Sequence, residues 1–187
     1  MLERFPLQPG SRRWYRDTWH APRAGGRRLH EGTDIAAPAG TPIIAARTGR
    51  VLKVEEDAET TCGLGVFVLV HTSSGSELDG YCHMRAVPVV HEHETVQAGD
   101  VLGYVGATGN GSPGHPHLHF QIETLPGRVR RNPYAELRAV EVAERRSPQA
   151  QSIRTALARS SRASSTGSGL GLLFVLAAFA YYLVNKD

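Results

Sequence analysis

The chain has 187 residues, which is enough for one domain with a hydrophobic core plus accessory segments but not for two full domains. Its formal net charge is +3, and the excess is local, because the stretch from Gly127 to Arg162 holds nine Arg against three Glu. These Arg residues lie in a helix-like tail with only Tyr134 among them, so composition argues against a nucleic-acid-binding face.

Residues 1–27 form an N-terminal lead-in. Pro6, Pro9 and Gly10 interrupt every apolar run there, so no segment has the length of a signal peptide. The sequence therefore predicts no N-terminal export signal within these residues.

Residues 28–133 have the pattern of an all-β domain. Short β-branched or aromatic runs such as VFVLV, VLGYVG and HLHFQI alternate with clusters of Gly, Ser and Pro, which is typical of an antiparallel sheet or sandwich. Thr72 to Ser76 is predicted to be the hairpin turn between strands at Val66–Val70 and Glu77–His83. This places His83 at a strand end.

Residues 134–168 are predicted to be a helical, Arg- and Ser-rich stalk and linker. Tyr134 to Arg146 follows Asn132-Pro133 and places Leu137, Val140 and Val142 with helical periodicity. A second, weaker helix is predicted from Gln149 to Leu157. The SSRASSTGSG segment beyond it has the composition of a flexible linker.

Residues 169–185 are predicted to be a short C-terminal transmembrane helix, with a buried hydrophobic helix as the alternative. Leu170 to Val184 contains no charge, and Tyr181 and Tyr182 suit a membrane interface. Arg154, Arg159 and Arg162 precede this segment, and their positive-inside tendency conflicts with a head outside the membrane. The orientation stays open.

Two histidine patterns carry the chemistry. His117-Leu-His119 lies in a predicted strand, where side chains alternate, so both imidazoles point to one face. His30 and Asp34 lie four residues apart in a Gly-containing loop. Two His and one Asp on Zn²⁺ would leave the fourth position for water, as in catalytic zinc sites.

The chain resembles the lysostaphin/LytM-type zinc metallopeptidases, which cut peptide cross-bridges in bacterial cell walls. The resemblance runs from about Trp14 to Asn132, in the family's order and at compatible separations. Its matching segments are RLHEGTDIAAPAGTPII from Arg28, ARTGRV from Ala46, GYCHM from Gly80, VQAGDVLG from Val96 and GATGNGSPGHPHLHFQI from Gly106.

The resemblance implies a zinc-dependent endopeptidase acting on peptidoglycan peptides in the bacterial cell envelope. It implies zinc on His30, Asp34 and His119, and it implies that His83 and His117 share the tasks of general base and oxyanion stabiliser. All five positions hold the required residue type, whereas degenerate relatives that regulate amidases usually lack one or more.

The chain departs from the family pattern at three points. Gln121 stands where many relatives carry Glu, Cys82 lies in the Tyr-x-His segment, and no upstream Asn is seen that could plug the metal. Cys62 and Cys82 are free thiols or form one disulfide bridge.

Two alternative functions remain open, namely a non-catalytic regulator of amidases or wall-binding module, and a phage or prophage lysis endopeptidase. The bond cut and the oligomeric state are not set by these residues.

Overall fold

The computed structural model describes residues 1–56, 63–85, 87–111 and 114–148. Met1–Glu141 form one compact unit, and the second unit, Val142–Asp187, is described only as far as residue 148. The elements are β1 (Pro22–Arg23), a 3-10 turn (Ala24–Gly26), β2 (Arg28–Leu29), β3 (Thr33–Ala36), β4 (Pro42–Ile44), β5 (Gly49–Glu55), β6 (Val66–Thr72), β7 (Glu77–Met84), β8 (Thr95–Val96), β9 (Val101–Tyr104), β10 (His117–Thr124), β11 (Val129–Arg131) and α1 (Tyr134–Arg146).

The main sheet has seven antiparallel strands, in the order β11-β10-β7-β6-β5-β8. β3 is the seventh strand and pairs with the first half of β10, while β11 pairs with its second half. β4 and β9 form a separate two-stranded antiparallel sheet, as do β1 and β2. The predicted antiparallel all-β domain is confirmed, and β10 pairs with β3, β7 and β11.

The two faces of β10 have different roles because side chains alternate along a strand. Leu118, Phe120 and Ile122 are fully buried in the hydrophobic core. Phe5 and Leu7 of the N-terminal segment pack into the same core. The histidines of β10 therefore project from the opposite face of a strand that the core holds in place.

The hairpin between β6 and β7 has its turn where the sequence predicts it. β6 ends at Thr72 and β7 begins at Glu77, so Thr72 to Ser76 spans the connection. The Gly75 amide donates to the Thr72 carbonyl at 2.9 Å, and Gly75 has a φ of 73°, which costs glycine little. β7 extends one residue past His83.

The helix α1 has the predicted bounds. Asn132 accepts a hydrogen bond from the Tyr134 amide at 2.9 Å, which satisfies one amide of the first turn. Leu137 and Val140 are buried, whereas Val142 is 36% exposed and Glu141 is buried. The helix buries Glu141 because Arg13, Tyr15 and Arg138 bind its carboxylate.

Three sequence predictions lie outside the described residues: the second helix at Gln149–Leu157, the linker, and the apolar segment 169–185. Among the helices of the described ranges, none is long and apolar enough to cross a membrane. Cys62 also lies outside these ranges, whereas Cys82 is described and fully buried.

Candidate active site

The site is built where β3 and β7 flank the start of β10. His119 is the direct partner of Asp34 on β3 and of Cys82 on β7. Directly opposed residues of neighbouring strands point to the same face of a sheet. The register therefore brings the Asp34 carboxylate beside the His119 imidazole, 85 residues away in sequence.

His30, Asp34 and His119 converge on one point. His30 Nε2 lies 3.0 Å from Asp34 Oδ1 and 3.1 Å from His119 Nδ1, and the third side of this triangle, from His119 Nδ1 to Asp34 Oδ1, is 2.9 Å. His30 is in the loop before β3, as the sequence predicts. Asp34, however, lies within β3 rather than in a loop, because its backbone continues the sheet beside β10.

The three atoms fit a cation better than a set of hydrogen bonds. His30 Nδ1 lies 3.1 Å from the Thr18 carbonyl, which can only accept, so Nδ1 carries the ring proton and Nε2 presents a lone pair. Asp34 Oδ1 is also an acceptor. Two acceptors 3.0 Å apart repel each other unless a cation or a shared proton lies beside both, and two imidazole nitrogens with one carboxylate oxygen are a normal donor set for zinc.

Electrostatics at this point agree with a cation-binding role. Burial favours the protonated carboxyl of Asp34, yet the adjacent His119 and His30 imidazoles outweigh burial and hold its pKa well below the usual range. Burial in turn lowers the pKa of His119, although Asp34 opposes that shift. The site therefore offers an ionised carboxylate and a neutral imidazole, which are the protonation states that ligands need.

Two further residues orient these groups. Thr18 contacts His30 Nδ1 through its hydroxyl at 2.9 Å as well as through its carbonyl. Arg23 donates from Nη2 to Asp34 Oδ2 at 3.0 Å, which leaves Oδ1 turned toward the histidines. Hydrogen bonds of this kind fix ring tautomers and carboxylate orientation at metal sites. Sequence reasoning missed both residues, because neither lies in a recognisable motif.

His83 and His117 stand side by side next to this triangle. Their ring centroids are 4.9 Å apart, and the His83 and His119 centroids are 6.0 Å apart. His117 Nε2 lies 3.9 Å from Asp34 Oδ1. The structure thus brings all five residues of the predicted site together.

Backbone carbonyls fix the tautomers of these two rings. His83 Nδ1 donates to the Thr108 carbonyl at 2.8 Å, and His117 Nδ1 donates to the His115 carbonyl at 2.9 Å. In the neutral rings Nε2 therefore carries the lone pair. Burial, assisted by the charges of His117 and His119, lowers the pKa of His83 to about 4. His83 is neutral at ordinary pH and free to accept a proton.

Close backbone approaches surround these rings. A Cβ on Gly32 would lie 2.6 Å from the His119 ring and 2.7 Å from the Phe120 carbonyl. A Cβ on Gly106 would lie 2.4 Å from the backbone of Arg85. His83 itself has a φ of 64°, an unfavourable conformation for a residue with a Cβ. The site therefore depends on tight main-chain geometry at several points.

The remaining histidines lie outside the five-residue cluster. His115 contributes its carbonyl to His117, and His20 stacks on Trp19 with ring centroids 4.7 Å apart. His71 pairs with Leu78, at the opposite end of β7 from His83, and His93 is in the turn before β8.

Comparison with known proteins gives a consistent result. The family model described as peptidase family M23 matches residues 28–133. The chain is 34% identical over 146 residues to the L-Ala--D-Glu endopeptidase of Bacillus subtilis, covering 73% of this chain and 43% of that protein. It is 35% identical over 132 residues to the peptidoglycan DD-endopeptidase ShyC of Vibrio cholerae, covering 71% and 26%.

A solved structure shares the fold over most of the described residues. The crystal structure of a candidate glycyl-glycine endopeptidase lytM from Ruminococcus gnavus superposes with a TM-score of 0.63 and 29% identity, covering 76% of this chain and 61% of that chain. In the two sequence comparisons, the matched region spans less than half the length of the relative.

Proposed function

The chain belongs to peptidase family M23, and from that premise we propose that it is a zinc-dependent endopeptidase that hydrolyses peptide bonds of bacterial peptidoglycan. The observation that carries the proposal is the convergence of His30, Asp34 and His119 on one point, with His83 and His117 beside it. The two relatives named above are endopeptidases, and one is named for peptidoglycan.

We assign the metal to His30, Asp34 and His119. Their ligand atoms lie within 4.8 Å of one another, and the three protein ligands would leave a position open for water and substrate. Zinc bound there would polarise the scissile carbonyl and lower the pKa of a coordinated water. His119 presents Nδ1 and His30 presents Nε2 toward this point.

We assign proton transfer and oxyanion stabilisation to His83 and His117 together. Each ring is held in the tautomer that leaves Nε2 able to accept the proton of the attacking water. After accepting it, the same Nε2 becomes a donor and can stabilise the negative oxygen that develops on the carbonyl. The low pKa of His83 makes it a weak base. Of the two rings, that of His117 is the more exposed and therefore the more accessible to a substrate.

The proposal extends to the organisation of the chain. Residues 28–133 would be the catalytic domain, 1–27 its lead-in, 134–168 a stalk and linker, and 169–185 a membrane anchor. This arrangement would tether the enzyme in the cell envelope, where peptidoglycan lies.

The test is digestion of purified peptidoglycan by the full chain in detergent, with fragments identified by mass spectrometry and zinc measured on the same sample. We expect one zinc per chain and zinc-dependent release of peptide fragments. His119→Ala should lose zinc and cleavage together, whereas His83→Ala and His117→Ala should keep zinc and lose cleavage.

Two results would count against the proposal. Unaltered cleavage by His117→Ala with zinc retained would contradict the roles assigned to the histidine pair. Wild-type protein that binds no zinc would exclude a metalloendopeptidase and favour a non-catalytic regulator. Fragment masses would also name the bond that is cut.

A further inference from the structure

A second concave feature lies beside the candidate active site. It is an open cleft of about 630 Å³ between the segment before β1 and the β10–β11 hairpin, and we call it the hairpin cleft. The residues that matter for the argument are Trp19, His20, Glu31, Glu123, Arg128 and Arg130. None of them belongs to the five-residue cluster.

The buried acid of the hairpin cleft is already satisfied. The Glu123 side chain is only 4% exposed. Its carboxylate accepts hydrogen bonds from Gln121 Nε2 at 2.8 Å, Arg128 Nε at 2.7 Å and Arg130 Nε at 3.4 Å. Three donors neutralise this charge, so Glu123 serves to position the two guanidinium groups rather than to attract a cation.

The accessible charge of the hairpin cleft is the guanidinium of Arg128. Its side chain is 55% exposed, and Glu123 occupies only Nε. Arg130 is less available, because Glu31 binds its Nη1 at 2.8 Å while Glu123 binds its Nε. Among the described residues no hydrogen bond engages the Nη atoms of Arg128, and a planar guanidinium with available Nη atoms matches a carboxylate in two-point geometry.

The backbone on both sides of the cleft is held in an unfavourable conformation. Arg128 has a φ of 52°, following Gly127 at 99°, and His20 has a φ of 58°. Residues with a Cβ are disfavoured in this region, and those that adopt it concentrate at functional sites. The Trp19–His20 stack forms the opposite wall and offers an apolar surface to the aliphatic part of a ligand.

The hairpin cleft is linked to the candidate metal site through the main chain and through β10. The His20 amide donates to the His30 carbonyl at 2.8 Å, and the His30 amide donates to the Ala21 carbonyl at 2.9 Å. On β10, Glu123 is four residues beyond His119 on the same face. At about 3.3 Å per residue this separation is about 13 Å, the length of about four residues of extended peptide.

We propose that the hairpin cleft binds a carboxylate group of an acidic substrate peptide, about four residues from the bond positioned at the metal site. Arg128 receives the carboxylate, and the Trp19–His20 wall contacts the neighbouring aliphatic atoms. This inference rests on the proposed peptidase function, and it names acidic peptides as the preferred substrate class.

The test compares binding of two peptides to the metal-free full chain. Both are acetylated alanine-rich pentapeptides with one glutamyl position, whose side chain is a carboxylate in one peptide and a carboxamide in the other. Titration calorimetry at low salt should show that the carboxylate peptide binds about tenfold more tightly, as expected for a charge-assisted hydrogen bond. Because no bond is cut, this readout does not depend on catalysis.

Matched variants locate the effect. Arg128→Asn removes the guanidinium and suits the left-handed backbone, so it should abolish the preference for the carboxylate peptide. Arg128→Lys keeps the charge but not the planar fork and should retain part of the preference. Arg4→Asn removes the same charge at an exposed position outside the cleft and should leave the preference unchanged.

Equal binding of both peptides, no detectable binding of the carboxylate peptide at millimolar concentration, or a full preference in Arg128→Asn would each overturn this inference. None of these outcomes touches zinc content or release of peptidoglycan fragments. Conversely, a retained carboxylate preference in a protein that never cleaves peptidoglycan would contradict the proposed function alone.

Discussion

His119 Nδ1 lies 2.9 Å from Asp34 Oδ1, because the two residues are direct partners across adjacent antiparallel strands. Each strand is anchored by core residues on its other face, Ile35 on β3 and Leu118 and Phe120 on β10. The candidate metal site is therefore held by the packing of the sheet. Changes that alter the approach of these two strands should affect metal binding before they affect overall folding.

Gly32 is the position where this approach is tightest. Gly32→Ala places a Cβ 2.6 Å from the His119 ring and 2.7 Å from the Phe120 carbonyl, so the ring must move. We expect zinc affinity to fall at least tenfold and the free energy of unfolding to fall by about 1–3 kcal/mol. Competition with a chromophoric chelator measures the first, and urea unfolding measures the second. Gly114→Ala is the control, because no atom of the described residues lies within 4 Å of its added Cβ; equal zinc affinity in both variants would refute the prediction.

Arg23 should act on the metal site through Asp34. Arg23→Gln removes the hydrogen bond to Asp34 Oδ2, so the carboxylate loses its fixed orientation. We expect zinc affinity to fall about 10- to 100-fold, as for other groups that orient metal ligands. Stability should change little, because this ion pair is about one-third exposed on both sides.

The control for Arg23 is Arg27→Gln, which removes an exposed guanidinium bonded only to the Ala24 carbonyl among the contacts described. Zinc affinity is measured for both variants by the same chelator competition. Unchanged affinity in Arg23→Gln would show that the ion pair is incidental to the site.

The lowered pKa of His83 predicts that the stability of the metal-free protein depends on pH. Its pKa is lowered to about 4 by burial and by the charges of His117 and His119, whereas an exposed histidine titrates near 6.5. Between these values the unfolded chain binds a proton that the folded chain does not. The free energy of unfolding therefore decreases as pH falls from about 6.5 to 4, by about 2–3 kcal/mol from this residue.

His83→Asn provides the comparison, because Asn does not titrate and tolerates the φ of 64°. Urea unfolding with chelator present, at several pH values from 7.5 to 4.5, measures the difference. The wild-type protein should lose more stability than the variant over this range. Parallel curves would mean that His83 titrates normally.

The surroundings of Gln121 predict how a glutamate at this position would change the stability of the protein. Its Nε2 donates to Glu123 Oε1 at 2.8 Å, and both side chains are buried. Gln121→Glu would place two carboxylates in contact and should cost about 2–4 kcal/mol of unfolding free energy at pH 7.5. At pH 5 the loss should be smaller, because the pair can share a proton.

Gln121→Met distinguishes charge repulsion from the loss of a hydrogen bond as the cause of the destabilisation in Gln121→Glu. It removes the donor to Glu123 but also removes Oε1, a buried atom that lacks a hydrogen-bond partner among the described residues. Its cost should stay below about 1.5 kcal/mol and should not depend on pH in this range. Urea unfolding at both pH values compares the variants, and equal losses at pH 7.5 would contradict the repulsion argument.

Local features of the fold could be predicted from the amino-acid sequence. Alternation along a strand put His117 and His119 on one face, the Thr72–Ser76 segment set the hairpin, and Asn132-Pro133 set the start of α1. These depend on backbone preferences and on side-chain periods of a few residues, which a sequence displays directly. Periodicity gave no signal that Glu141 is buried, because its partners Arg13 and Tyr15 lie far away in sequence.

Contacts between residues that are far apart in sequence could be identified only from the tertiary structure. The register of β3 on β10 placed Asp34 opposite His119, and chain folding brought Thr18, Arg23 and Thr108 to the site. The hairpin cleft likewise joins segments about one hundred residues apart. Such contacts depend on long-range strand pairing and core packing, whose energies come from the whole sheet and leave no signal in a short stretch of sequence.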